Sequence, residues 1–199
     1  MRWHKHFLIA AAVAIAVTAT AAAALGSTHG PSAQASRAQH ATKADELRID
    51  LTPSSAVLAA CMPGADLSAG IRLTTEERGF DRFDITARHL PPNREYTIFL
   101  LQQAAAPFGA AEYIGDFSTD EHGDAKTKLR LIVEEAFSST VVNGARVRVD
   151  LNRIGVWFAD PADDDFCLGA GSPVTPFDGD NAAGVQAFNS ANADALPAP

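Results

Sequence analysis

The chain has 199 residues, 47% of them apolar, and its 16 Lys and Arg against 24 Asp and Glu give a formal net charge of −8. An acidic surface of that size repels phosphate backbones and anionic lipid heads, which argues against nucleic acid as a partner. Only two cysteines are present, enough for one disulfide.

In chain order the first element is an export segment. Arg2, His4, Lys5 and His6 make a basic start, and Phe7 to Leu25 follow as 19 uncharged residues rich in alanine. That is the pattern of a secretory signal, and it is weakly hydrophobic for a membrane span of ~20 strongly apolar residues. Ala33 and Ala35 place an A-x-A cleavage site before Ser36, with retention of residues 1–35 as an anchor the competing outcome. No cysteine follows the apolar run to take a lipid, and MRWHKH lacks the paired arginines of the twin-arginine route. Cleavage removes two basic residues and no acidic ones, leaving 164 residues with a net charge of −10. That length suits one core. The expected location is extracellular, or at the outer face of the cell membrane if the segment stays attached.

Residues 36–45 lack apolar periodicity and form a flexible spacer. Strand alternation then begins. In LRIDL, Leu47, Ile49 and Leu51 share a face; in AGIRLTT, Ile71 and Leu73 do; in FDRFDITARHL, Phe83, Ile85 and Ala87 oppose Arg82, Asp84, Thr86 and Arg88. REYTIFLLQQ is apolar on both faces and is predicted to be central or covered. Pro91 and Pro92 must turn the chain between the last two. AEYIGDF and KTKLRLIV flank a turn with Gly123 at a positive-φ position, while STVV and ARVRV flank Asn143-Gly144, the preferred pair for a tight type I′ turn. Val147, Val149 and Leu151 are odd positions, whereas Ile154, Val156 and Phe158 are even. A bulge or strand break near Asn152 and Arg153 is required if both sets face inward.

Short strands at roughly 10-residue spacing predict an all-β fold, an immunoglobulin-like antiparallel β-sandwich of about seven to eight strands over residues 46–178. Cys61 and Cys167, the whole cysteine complement of an exported chain, are expected to pair. Residues 179–199 hold few large apolar side chains and are expected to be a disordered tail, with docking of Phe188 the alternative.

Candidate chemistry is sparse. Once the leader is gone only His40, His89 and His122 remain, too dispersed for a histidine metal centre. The stretch Gly169 to Pro173 lacks the order of a serine-hydrolase elbow. Glu76, Glu77, Asp116, Glu134 and Glu135 are the carboxylates a small secreted hydrolase would draw on. Asp160, Asp163, Asp164 and Asp165, with Asp178 and Asp180 beyond them, are hard oxygen ligands that suit calcium as a cofactor, without the order of a helix-loop-helix calcium site. Their simpler role is to end the strand and lead into the disulfide. Trp157 alternates with Val156 and Phe158 and so points away from the core, as a ligand-binding aromatic or beneath a covering segment.

The strings LPPNREYTIFLLQQ, AAEYIGDFSTDEHGDAKTKL and EEAFSSTVVNGARVRVDLNRIGVWFADPADDDFC resemble exported β-sandwich proteins of high-GC Gram-positive bacteria that carry no assigned activity, over about residues 47–180. The middle portion, with G-D-F-x-T-D-x-x-G, also resembles the strand grammar of extracellular sandwiches such as copper/zinc superoxide dismutase, but the clustered histidines of that enzyme are missing. The resemblance implies a secreted sandwich and carries over no catalytic residue. The function expected of such a chain is a binding or structural role toward an envelope or extracellular ligand, with a calcium-stabilised sandwich and a small carboxylate-dependent hydrolase as alternatives.

Overall fold

The computed structural model describes residues 46–133, 135–176, 182–191, 193 and 196; residues 1–45, over which an export signal and spacer were expected, and Asp178 and Asp180 lie outside the described residues. Ten strands form: β1 (Glu46–Pro53), β2 (Asp66–Arg72), β3 (Asp81–Arg88), β4 (Glu95–Leu101), β5 (Ala111–Ser118), β6 (Ala125–Leu131), β7 (Phe137–Val142), β8 (Ala145–Asp150), β9 (Arg153–Phe158) and β10 (Gln186–Asn189). Three short helices join them: α1 (Ala56–Cys61), α2 (Thr75–Arg78) and α3 (Asp165–Leu168), the last preceded by a 3₁₀ turn at Pro161–Asp164.

The fold is all-β and sandwich-like. Eight strands make one antiparallel sheet in the order β5-β4-β9-β10-β1-β2-β3-β6. The sheet curls until its two outer strands meet, with Gly115 of β5 set directly against the side chain of Leu129 of β6. Alternation explains the core: Ile49 and Leu51, Leu67 and Ile71, Phe83 and Ile85 all point inward and are buried. β4, apolar on both faces as the sequence required, lies between β5 and β9 and is buried from Tyr96 to Leu101.

The tail corrects the sequence reading. Residues 179–199 were expected to be disordered, yet β10 sits inside the sheet between β9 and β1. Its residues Gln186, Ala187, Phe188 and Asn189 are all buried. The minority alternative, docking of Phe188, is what happens. Polarity at both ends of the strand had hidden it, and that polarity is satisfied internally. Asn189 Nδ2 donates to Gln186 Oε1 at 3.2 Å, and Gln186 Nε2 donates to the Ala104 carbonyl at 2.9 Å. A buried polar group so bonded avoids the desolvation cost that an unpaired one carries.

A second correction concerns β7 and β8. They pair only with each other, as a hairpin whose turn residues Asn143 and Gly144 have φ of 51° and 81°, the left-handed values a type I′ turn needs. Val147 was expected to face the core and is 42% exposed. The phase slip is resolved by a strand break at residues 151–152, after which Leu151 and the β9 residues Ile154, Val156 and Phe158 are buried. The hairpin is anchored at its base, where Leu151 N–H donates to the Ala136 carbonyl at 3.0 Å.

Phe188 fills space between the two halves of the sheet, so Phe188→Ala is expected to lower unfolding free energy by about 3–5 kcal/mol. Denaturant titration checks this, and a loss below 1 kcal/mol would show that the strand does not dock.

Candidate functional site

The disulfide forms as expected: Cys61 and Cys167 have their Cα atoms 5.6 Å apart across 106 residues. In the chain-entropy treatment a loop of about 100 residues closed in this way contributes about 4.7 kcal/mol. It fastens α1 to α3 and forms one wall of an open groove of about 390 Å³. Met62, Pro63 and Phe166 continue that wall, and the turn between β3 and β4 supplies the other through Leu90, Pro91 and Pro92.

The turn is held from behind by the β5–β6 hairpin. Thr119 Oγ1 donates to the Pro91 carbonyl at 2.7 Å, Arg94 N–H donates to Thr119 Oγ1 at 3.0 Å, and Asn93, at φ 53°, donates its N–H to the Asp120 carbonyl at 3.1 Å. Gly123, at φ 78°, leaves no room for a side chain because a Cβ there would lie 1.9 Å from the Leu90 carbonyl oxygen. Glycine at 123 is therefore needed both for its turn and for the shape of the groove.

Arg94 is the cation of this groove. Its Nη1 donates to Asp163 Oδ1 at 2.6 Å, and its buried Nε has no hydrogen-bond partner among the described residues. Behind it Tyr96 is buried with its hydroxyl also unpartnered. Burial pushes the Tyr96 phenol far above its ordinary pKa of 10.0, the Asp163 carboxylate adds to that, and the Arg94 guanidinium opposes it. The phenol is thus neutral at any physiological pH.

A neighbouring groove of about 560 Å³ shares His89 and is lined by Arg88, Asp120, Asp124 and Lys126. Its carboxylates are turned to structural use. Asp120 Oδ1 accepts N–H bonds from Asp124 at 2.9 Å and His122 at 2.8 Å, and these hold its carboxyl below the ordinary 3.8.

The aspartates after β9 diverge. Asp160 caps the following turn by accepting from Ala162 N–H at 2.8 Å, Asp163 pairs with Arg94, and Asp164, fully buried, accepts from Val185 N–H at 2.8 Å and from the Ser172 hydroxyl. Asp165 opens α3. Among the described residues no three His, Cys, Asp or Glu side chains converge on a point where a metal ion would sit. Asp160, Asp163 and Asp164 thus go to separate protein contacts, while Asp178 and Asp180, the other two members of the expected calcium set, lie outside the described residues.

Trp157 does point away from the main core, but it is only 1% exposed. Phe108 stacks edge-on to it with ring centroids 5.0 Å apart, Phe99 does so at 5.3 Å, and Ala183 from the tail packs in the same cluster. The space for its ring exists because Gly155 has no side chain; a Cβ there would lie 2.4 Å from the indole. An exposed binding face at Trp157 is thus ruled out by the chain's own loop and tail. The acids considered for hydrolysis are also apart: Glu76 and Glu77 lie on α2, Asp116 on β5 accepts from the Tyr113 hydroxyl at 2.5 Å, Glu135 precedes β7, and Glu134 is not among the described residues.

Comparison with protein-family models, with curated proteins and with solved structures gives no significant match to this chain. In the sequence the Pro91–Pro92 turn and the two cysteines are visible only as separate features. Their juxtaposition depends on pairings between residues far apart in the chain, and no local pattern carried that information.

Asp164→Ala would leave the half-buried Val185 N–H and Ser172 hydroxyl without their acceptor, at about 1–3 kcal/mol each. The expected loss in stability is 2–4 kcal/mol (about two such groups, partly relaxed) and is the same in millimolar calcium as in chelator. A wild-type melting temperature that rises with calcium would contradict the structural role given to these aspartates.

Proposed function

We propose that this chain is an exported module of the cell envelope or extracellular space that acts by binding rather than by bond-breaking chemistry, through the groove between the disulfide and the Pro91–Pro92 turn. The observation that carries the reading is the build of that groove. Its walls are prolines, Met62, Phe166 and the disulfide, which are apolar and held by covalent and backbone constraints, and it presents one guanidinium from Arg94. Ligand sites are typically concave, largely apolar and preformed, with few polar groups to fix orientation.

The disulfide supports the compartment, since such bonds form and persist where the milieu is oxidising. Among the described residues no helix is long and apolar enough to cross a membrane. The basic and apolar N-terminal residues supply the export reading. A structural role within the envelope is the same proposal with a neighbouring macromolecule as the ligand.

Two measurements test this. Protein recovered from the culture medium is expected to begin at Ser36 and to gain the mass of two hydrogens on reduction; recovery of the intact chain from the cytoplasm alone would overturn the export reading. Binding to envelopes isolated from the host cell is expected to weaken about tenfold or more, at least 1.4 kcal/mol, in Arg94→Ala and in Phe166→Ala at a temperature where both variants are folded by circular dichroism; Arg94→Ala also lowers the melting temperature, because it removes the partner of Asp163. Equal binding by both variants and the wild type would remove the groove from the function.

A further inference from the structure

The negative net charge is an average over two very different surfaces. Twelve Lys and Arg side chains lie among the described residues, and seven of them stand on the outward face of the β1-β2-β3-β6 half-sheet. Lys126, Lys128 and Arg130 alternate along β6, Arg82 and Arg88 along β3, with Arg72 at the end of β2 and Arg48 in β1. Four acids share that face, Glu46, Asp50, Asp66 and Asp84, so it is positive by three. The rest of the described residues hold 15 acidic side chains and five basic ones.

Most of the acids on the face are already neutralised by neighbours. Glu46 pairs with Arg72 at 3.0 Å, Asp50 with Arg48 at 3.2 Å and Asp84 with Arg82 at 3.3 Å. Lys126, Lys128 and Arg130 are exposed and enter no ion pair among the described residues. Register then brings Arg72, Arg82 and Arg130 side by side in one row across three strands. Neighbouring strands lie ~4.8 Å apart, and like charges directly opposite destabilise a sheet. Lysines on β6 have a structural use, since charge on an edge strand deters pairing with another chain. That use does not extend to Arg72 and Arg82, which lie on interior strands. Beside the row Gly70 leaves a dent of about 70 Å³ rimmed by Glu46, Arg72, Arg82 and Asp84.

We propose that this face docks a linear phosphate polymer that carries no bases. Guanidinium groups grip phosphate oxygens two at a time, and alternate cations along β6 are spaced ~6.8 Å, which suits an extended chain of charges better than a compact anion. None of the exposed large apolar side chains lies at an outward position of these four strands, so the face has nothing to insert into a membrane. No aromatic residue occupies those positions either, and the ring of Phe80, just before β3, is covered by the Arg130 guanidinium 5.2 Å from its centroid, so nucleobases would find no free stacking platform. The acidic remainder of the molecule repels the polymer and so orients the approach. The proposal does not depend on the groove beside the disulfide.

The test uses the chain with its disulfide intact and long-chain inorganic polyphosphate as the probe. Wild-type affinity is expected to fall steeply with salt, and the triple variant Lys126→Gln, Lys128→Gln, Arg130→Gln to bind at least tenfold more weakly. Its log-log salt slope should be shallower by about 2, at roughly 0.7 for each of three lost phosphate contacts on a flexible strand. Arg72→Gln with Arg82→Gln, made separately, should weaken binding too, whereas Arg146→Gln with Arg148→Gln on the β7–β8 hairpin should not. Arg94→Ala in the groove should also bind polyphosphate as the wild type does, which separates failure of this proposal from failure of the groove. Equal binding by the triple variant and the wild type overturns the proposal. So does tighter binding of single-stranded DNA, or binding to anionic vesicles without binding to polyphosphate.

Discussion

The insertion of a four-residue strand from the C-terminal region between β9 and β1 is the constraint on which the rest of the structure depends. Without β10 the two halves of the sheet lose the backbone link that makes them one continuous surface. The link is reinforced at both ends. Ser54 N–H donates to the Ala187 carbonyl at 2.9 Å, Ser190 N–H to the Ile154 carbonyl at 3.0 Å, and the buried Asp164 carboxylate takes the Val185 N–H at 2.8 Å. That last contact joins the tail to the segment that carries Cys167. The disulfide, the acidic turn and the late strand therefore act on one region of the sandwich, and the groove beside them inherits its shape from all three.

Much of this fold was legible because half-buried strands advertise themselves. Phe83, Ile85 and Ala87 alternating with Arg82, Asp84 and Thr86 state both the strand and its buried face, and the Asn143-Gly144 pair states the hairpin. β10 carries no such pattern. All four of its residues are buried, two of them polar, so neither alternation nor hydrophobicity separates it from a solvated tail. Trp157 failed for a related reason: alternation gave its direction correctly, while its cover came from a loop and a tail that periodicity does not see. Val147 shows the reverse, a strand pattern formed in a hairpin that stands outside the core.

The candidate sites divide along the same line. Six aspartates close together in sequence suggested a cation site, but backbone geometry sends Asp160, Asp163 and Asp164 to three different protein partners. The groove and the cationic face are both products of long-range pairing. Net charge from composition pointed away from polyanions altogether. Segregation across a twisted sheet is what makes a local reading differ from the average, because side chains two residues apart in a strand share a face and those one apart do not.

Hydrogen–deuterium exchange across residues 186–190 tests the central claim most directly. Protection of the Ala187 to Ser190 amides comparable to that of β4 and β9, lost only on global unfolding, is the outcome that follows from a strand inside the sheet. Exchange of those amides at the rate of an unstructured peptide, with β4 and β9 still protected, would contradict it.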